Sequence, residues 1–163
     1  MRGGAVLKAV RTPSSPVAPA AFGIAVAVVA VVGATASGDA ATTYTALRQP
    51  AWAPPSWLFG PVWTVLYVLL ALSGWLYWRN GGTKAGLITY AVGLALNAAW
   101  SPLFFGAGLR TVALVDIIAL DIVVMVGIWL FSRRSRAAAL LQIPYLAWIV
   151  FATALNMALV VLN

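Results

Sequence analysis

Residues 44–67 read Y-T-A-L-R-Q-P-A-W-A-P-P-S-W-L-F-G-P-V-W-T-V-L-Y. The stretch begins polar, becomes a rigid Pro/Trp segment and ends inside an apolar run. Pro50, Pro54, Pro55 and Pro61 each fix φ and lack a backbone donor, so residues 50–56 are expected to stay out of a helix. Pro61 suits a helix's first turn, where its missing N–H has no partner in any case. Trp52 and Trp57 sit where the chain should meet lipid headgroups, the depth that indole rings prefer. An interfacial anchor joining two spans would account for those two rings. It would not account for the Pro-Pro stiffness, or for Trp63 and Tyr67 following four residues apart. A stiff loop that leads an aromatic face into a bundle reads as a lid over a site.

The rest of the chain says what kind of bundle this is. Of its 163 residues, 63% are hydrophobic and only 8% charged, with a mean hydropathy of +0.98. That composition excludes an ordinary soluble globule. Five long apolar runs predict an all-α integral membrane protein, a five-transmembrane-helix bundle. Cysteine and histidine are both absent. Their absence leaves no thiolate nucleophile, no usual general base and no usual haem ligand. The net charge of +7 lies mostly in short loops beside apolar runs, which fits membrane orientation and not nucleic-acid binding.

In chain order, residues 1–18 read as a disordered cytoplasmic tail and residues 19–163 as one membrane domain. Spans are expected at about 20–36, 58–78, 85–105, 112–131 and 137–162, with a lid loop at 37–57. Each can cross a core of ~30 Å at 1.5 Å per residue. The first span, with Ala34-Thr35-Ala36 behind it, also fits a secretory signal peptide. Pro102 should weaken the end of the third span, and Pro144 should kink the fifth early. Eight of the ten Lys/Arg residues fall in the N-terminal tail and the second and fourth loops. This predicts a cytoplasmic N-terminus with the lid and C-terminus external.

Three spans carry aromatic faces at a shared depth. Asn97, Trp100 and Phe104 share a face of the third span; Tyr145, Trp148, Ala152 and Asn156 share one of the fifth. Trp63 and Tyr67 come from the second. All should fall in the half beneath the Pro/Trp loop, an arrangement suited to a flat, apolar ligand stacked among rings. Ordinary aromatic packing is the alternative. An intramembrane asparagine is most often interhelical glue, and Asn97 and Asn156 stand open between that role and ligand contact. Ala91, Ala95 and Ala99 form a small-residue stripe on the other face of the third span, a candidate homodimer interface. Asp116 and Asp121 sit on the fourth span, about 140° apart around it, so they form no paired site. Carboxylates there mark function or a polar partner, with Arg110 near enough to steady Asp116. Two separated Asp residues without His or Cys make no metal site. Leu72…Tyr77…Arg79 and Lys84…Tyr90…Val92 match loose sterol patterns.

The blocks L-R-Q-P-A-W-A-P-P-S-W-L-F-G-P-V-W-T-V-L-Y (47–67), L-A-L-N-A-A-W-S-P-L-F-F-G (94–106), A-L-V-D (113–116) and P-Y-L-A-W-I-V-F-A-T-A-L-N (144–156) span most of the chain beyond residue 43. Together they resemble the translocator protein family, the tryptophan-rich sensory proteins also called peripheral benzodiazepine receptors, in a bacterial member. The resemblance implies a cavity closed by the first loop, an uncleaved first span and residence in the bacterial cell membrane. It also implies binding of porphyrins, haem and benzodiazepine-site ligands, with no obligatory cofactor. Dimerisation through the third span is implied as well. Tyr44, Trp52, Pro54, Trp63, Tyr67, Asn97, Trp100, Phe104, Trp148, Ala152 and Asn156 are the ligand-binding candidates. Trp63 and Trp148 match tryptophans implicated in porphyrin chemistry, so a light-dependent, oxidative porphyrin-degrading enzyme is the alternative to a receptor or sensor. A tetrapyrrole transporter is a third reading, motivated by Asp116 and Asp121. The pattern departs from the family at Thr43-Tyr44, Gly93 and Met157, and the last departure weakens the case for sterol binding.

Overall fold

The computed structural model describes residues 17–38 and 40–163. The tail at 1–16 and Asp39 lie outside the described residues; Val17 and Ala18 already belong to the first helix. The elements are α1 (Val17–Ala36), α2 (Ala40–Ala46), a 3₁₀ turn (Ser56–Leu58), α3 (Phe59–Arg79) and α4 (Lys84–Ser101). A π turn (Pro102–Gly106), α5 (Arg110–Ser132), α6 (Arg136–Leu141) and α7 (Ile143–Leu162) complete them. Five stretches are long and apolar enough to cross a membrane, at 17–36, 56–79, 84–106, 110–132 and 136–162.

The expected spans are present, with shifted ends. Residues 37–57 are not all loop, since α2 occupies 40–46 and Ser56 already opens a 3₁₀ turn. Pro102 does not fray the third span but widens it. The Ala107 N–H reaches back five residues to the Pro102 carbonyl at 2.8 Å, and the Leu109 N–H reaches the Leu103 carbonyl at 2.9 Å. A proline cannot donate, so the ladder re-registers around it. Pro144 breaks the fifth span instead of merely bending it: α6 stops at Leu141, Gln142 stands between, and α7 starts with Pro144 in its first turn. Thr83 and Ser135 cap α4 and α6 through their side-chain oxygens, which accept the Gly86 and Ala138 N–H groups.

In the bundle, α1 packs on α3 and α4, α4 packs on α5, α5 on α7, and α3 on α6. Val65, Val115 and Ile122 stand exposed on the outside, as expected of surfaces that face lipid. At the end away from the lid, Tyr77 and Phe131 are fully buried and stack face to face, 3.7 Å apart and 3° from parallel. The Tyr77 hydroxyl pairs with Thr83 at 3.0 Å. Gly82 and Gly86 make room for that ring, since a Cβ at Gly86 would overlap the Tyr77 hydroxyl. Because the stack on Phe131 fixes the ring, Gly86→Ala should destabilise the bundle by about 1–3 kcal/mol through overpacking. Thermal unfolding in detergent checks this: the variant's Tm should lie below the parent's, and an equal Tm would show that the tyrosine can yield.

Candidate functional site

Between α1, α3, α4, α5 and α7, under the 40–59 segment, lies a cavity of about 410 Å³. That is within the ~300–1,000 Å³ usual for small-molecule sites. Its aromatic wall comes from three helices. On α3, Trp63 stacks on Tyr67, one turn along, with centroids 5.3 Å apart. On α4, Trp100 stacks on Phe104 at 5.0 Å. On α7, Trp148 meets Phe59 edge-on at 5.9 Å.

Hydrogen bonds between helices hold the tips of these rings. The Tyr67 hydroxyl donates to Asn97 Oδ1 at 3.0 Å, and Asn97 Nδ2 donates to the Tyr145 hydroxyl at 3.0 Å. Nearer the lid, Trp100 Nε1 donates to Asn156 Oδ1 at 3.2 Å, and Asn156 Nδ2 donates to the Arg110 carbonyl at 3.1 Å. Both asparagines are buried cavity-wall residues, and both act as interhelical glue. Trp148 differs: its Nε1 is buried and, among the described residues, has no hydrogen-bond partner.

The lid is tied from several directions. Tyr44, buried at 4% exposure, donates its hydroxyl to the Pro54 carbonyl at 3.0 Å and packs edge-on against Phe59. Gln49 Nε2 donates back to the Tyr44 carbonyl at 2.6 Å. Asn163, at the end of α7, accepts from the Arg48 N–H and donates to the Arg48 carbonyl, at 3.0 and 3.1 Å. Trp52 rests edge-on against Phe151 at 5.7 Å.

A family model described as the TspO/MBR family matches residues 21–162. The chain belongs to the TspO/MBR family. The tryptophan-rich protein TspO of Archaeoglobus fulgidus is 45% identical over 124 residues, covering 75% of this chain and 80% of that protein. The human translocator protein is 38% identical over 124 residues, 73% of each chain. The tryptophan-rich sensory protein of Cereibacter sphaeroides is 36% identical over 120 residues, 74% of this chain and 76% of its own. Together with its five apolar spans, this makes the TspO/MBR chain an integral membrane protein.

Nine of the residues singled out from sequence lie on this one wall: Tyr44, Trp63, Tyr67, Asn97, Trp100, Phe104, Trp148, Ala152 and Asn156. Trp52 and Pro54 do not. Trp52 is 51% exposed, and Pro54 contributes a carbonyl to Tyr44; neither lines the cavity. Asp121 has a polar partner, accepting from Thr153 Oγ1 at 2.8 Å, a hydroxyl shared with the Ile149 carbonyl. Among the described residues no ion pair joins Arg110 to Asp116; Arg110 Nε and Asp116 Oδ2 are each buried without a partner. The tyrosines of the two sterol patterns, Tyr77 and Tyr90, are buried and bonded within the bundle, so neither faces lipid. Sequence reasoning missed the part of α1 in the wall: Ala30, Gly33 and Ala34, with Ser37 just beyond the helix, line the cavity. Their spacing of three and four residues was a usable signal, since small residues at that period open a helix face.

Burial pushes the Tyr44 hydroxyl above its usual 10.0, so it stays a donor across neutral pH. The stability that this tie lends is full below the unfolded tyrosine's pKa and is lost only as pH rises through the raised folded value. Tyr44→Phe removes the donor at all pH values. The loss should be about 0.5–1.5 kcal/mol, or roughly 2- to 12-fold faster amide exchange across residues 47–56. Hydrogen-exchange mass spectrometry in detergent measures this, and unchanged exchange would show that other contacts alone hold the lid.

Proposed function

We propose that this chain is a membrane receptor or sensor that binds porphyrins, haem and similar flat apolar ligands in the cavity beneath its lid. The observation that carries the reading is the convergence of Trp63, Trp100 and Trp148, from three helices, on one lid-covered space. Stacked rings suit a flat macrocycle, because every face they offer is a π surface. Relatives named translocator protein and tryptophan-rich sensory protein support the same reading.

The chain contains no histidine, so haem iron would lack its usual axial ligand here. Metal-free protoporphyrin should therefore bind comparably to haem. Removing one stacked indole, as in Trp148→Ala, should weaken binding by about 1–3 kcal/mol, roughly 5- to 150-fold. Ala152→Leu should intrude on the cavity floor and block a flat ligand without touching the lid. Titration of purified protein with protoporphyrin and with haem, followed by tryptophan quenching, tests all three expectations. Both variants folding and binding like the parent would remove this site.

The chain also carries a candidate surface for self-association. Ala91 and Ala95 are exposed and Ala99 is half-buried, on an α4 face directed away from the cavity. We infer a homodimer formed by close approach of two α4 helices along this stripe. Ala95→Leu should weaken it. Analytical ultracentrifugation in detergent would then show a shift toward monomer, whereas a dimer of unchanged strength would put the interface elsewhere.

A further inference from the structure

The cavity wall is uneven in thickness. Of the residues that line it, only Ala34, Ala41, Gly60 and Thr64 are exposed at the molecular surface. All four are small, and they fall on α1, α2 and the first two turns of α3. The contributions of α4, α5 and α7 to the wall are all buried or half-buried. A Cβ at Gly60 would meet nothing within 4 Å, so the gap is not plugged from a neighbouring helix. The one polar side chain on its rim is satisfied within its own helix, as Thr64 Oγ1 donates to the Gly60 carbonyl at 2.9 Å. The opening therefore makes no demand for water.

Depth tells what solvent it faces. Gly60 and Thr64 lie within the span at 56–79 and Ala34 within that at 17–36. Ala41 lies outside the spans, on α2, so the gap runs from the lid into the lid-side ends of the spans. The lid itself is held by the bonds of Tyr44, Gln49 and Asn163, which lifting it would strain. Among the described residues, no hydrogen bond links the rim residues of α1 to those of α3.

We propose that the cavity takes its ligands from the lid-side leaflet of the bilayer, through a lateral portal between α1 and α3 rimmed by Ala34, Ala41, Gly60 and Thr64. The ligand class is then molecules already dissolved in the membrane, and the small side chains of the rim set how fast they exchange. This rests on the reading of the cavity as a ligand site.

The chain has no cysteine, so Gly60→Cys introduces a single thiol. The variant, reconstituted in liposomes, is mixed with protoporphyrin in a stopped flow, before and after complete reaction with the membrane-permeable N-cyclohexylmaleimide. A plug on the path slows arrival and departure together and leaves the end states alone. Both rate constants should fall by about tenfold or more, with affinity changed by less than about threefold. Ala34→Cys, treated in the same way, gives a second plug on the opposite rim should Gly60→Cys fold poorly. Val65→Cys, exposed to lipid but off the cavity wall, should be indifferent to labelling. Unchanged rates after full labelling of the rim would overturn the portal, as would equal slowing in the Val65→Cys control. Weaker affinity with unchanged association would also overturn it, because that marks a wall residue. No protoporphyrin binding before labelling would remove the site reading and the portal with it, while binding with unchanged rates removes the portal alone.

Discussion

A polar side chain in hydrocarbon finds no water, and several of those in this bundle are answered from another helix. Those answers tie α3, α4, α5, α6 and α7 to one another. Asn97 joins α4 to α3 through Tyr67 and to α7 through Tyr145. Asn156 joins α7 to α4 through Trp100 and to the start of α5 through the Arg110 carbonyl. Asp121 and Thr153 join α5 to α7, and Ser73 ties α3 to α6 through the Ala138 carbonyl and Gln142. Each such bond contributes only about 0.6 kcal/mol on average in membranes. Their larger effect is directional, because apolar packing between helices surrounded by lipid does not by itself select one rotation of a helix over another.

The cavity follows from that register. Tyr67, Trp100 and Tyr145 have their polar tips fixed in the interhelical network, so their rings cannot fold inward to fill the space between the helices. On the opposite side, α1 supplies only alanine, glycine and serine to the wall, which has no bulk to fill the space either. Large rings held back on one side and small residues on the other leave an empty volume. Trp148 is the exception in the network, since edge contacts with Phe59 and a tilted one with Phe151 hold it instead of a hydrogen bond.

How much of this was legible depended on the range of the interaction concerned. The spans could be read directly, because hydrocarbon forces about 20 apolar residues into each one. The aromatic faces could be read too, since helical period fixes which side chains share a side. Three features were out of reach. Nothing local distinguishes A-A-T-T-Y-T-A at 40–46 from loop; α2 forms where Tyr44 is buried beneath the lid. Periodicity says nothing of which way an irregular segment turns its side chains, so it cannot tell that Trp52 and Pro54 do not line the cavity. The ambiguity at Asn97 could be resolved only by partners 30 and 48 residues away. In each case the deciding contact is tertiary, while the sequence pattern is local.

The lid and the wall form one mechanical unit. A chain of rings runs from Trp52 through Phe151, Trp148 and Phe59 to Tyr44, with each neighbouring pair of centroids 5.3 to 5.9 Å apart. Lifting the lid would separate Trp52 from Phe151 and Tyr44 from Phe59, so it would disturb the rings that line the site. It would also break the Tyr44–Pro54 and Gln49–Tyr44 bonds and the paired bonds between Arg48 and Asn163. A flap that opened freely would need few contacts with what it covers, since segments that move readily are those with little buried area and few tertiary bonds. This lid buries little beyond Tyr44 but is tied by several tertiary bonds, which make it a ceiling that holds Trp148 and Phe59 in position. The remaining side is different: there small residues of α1 and α3 meet and, among the described residues, no hydrogen bond crosses between them.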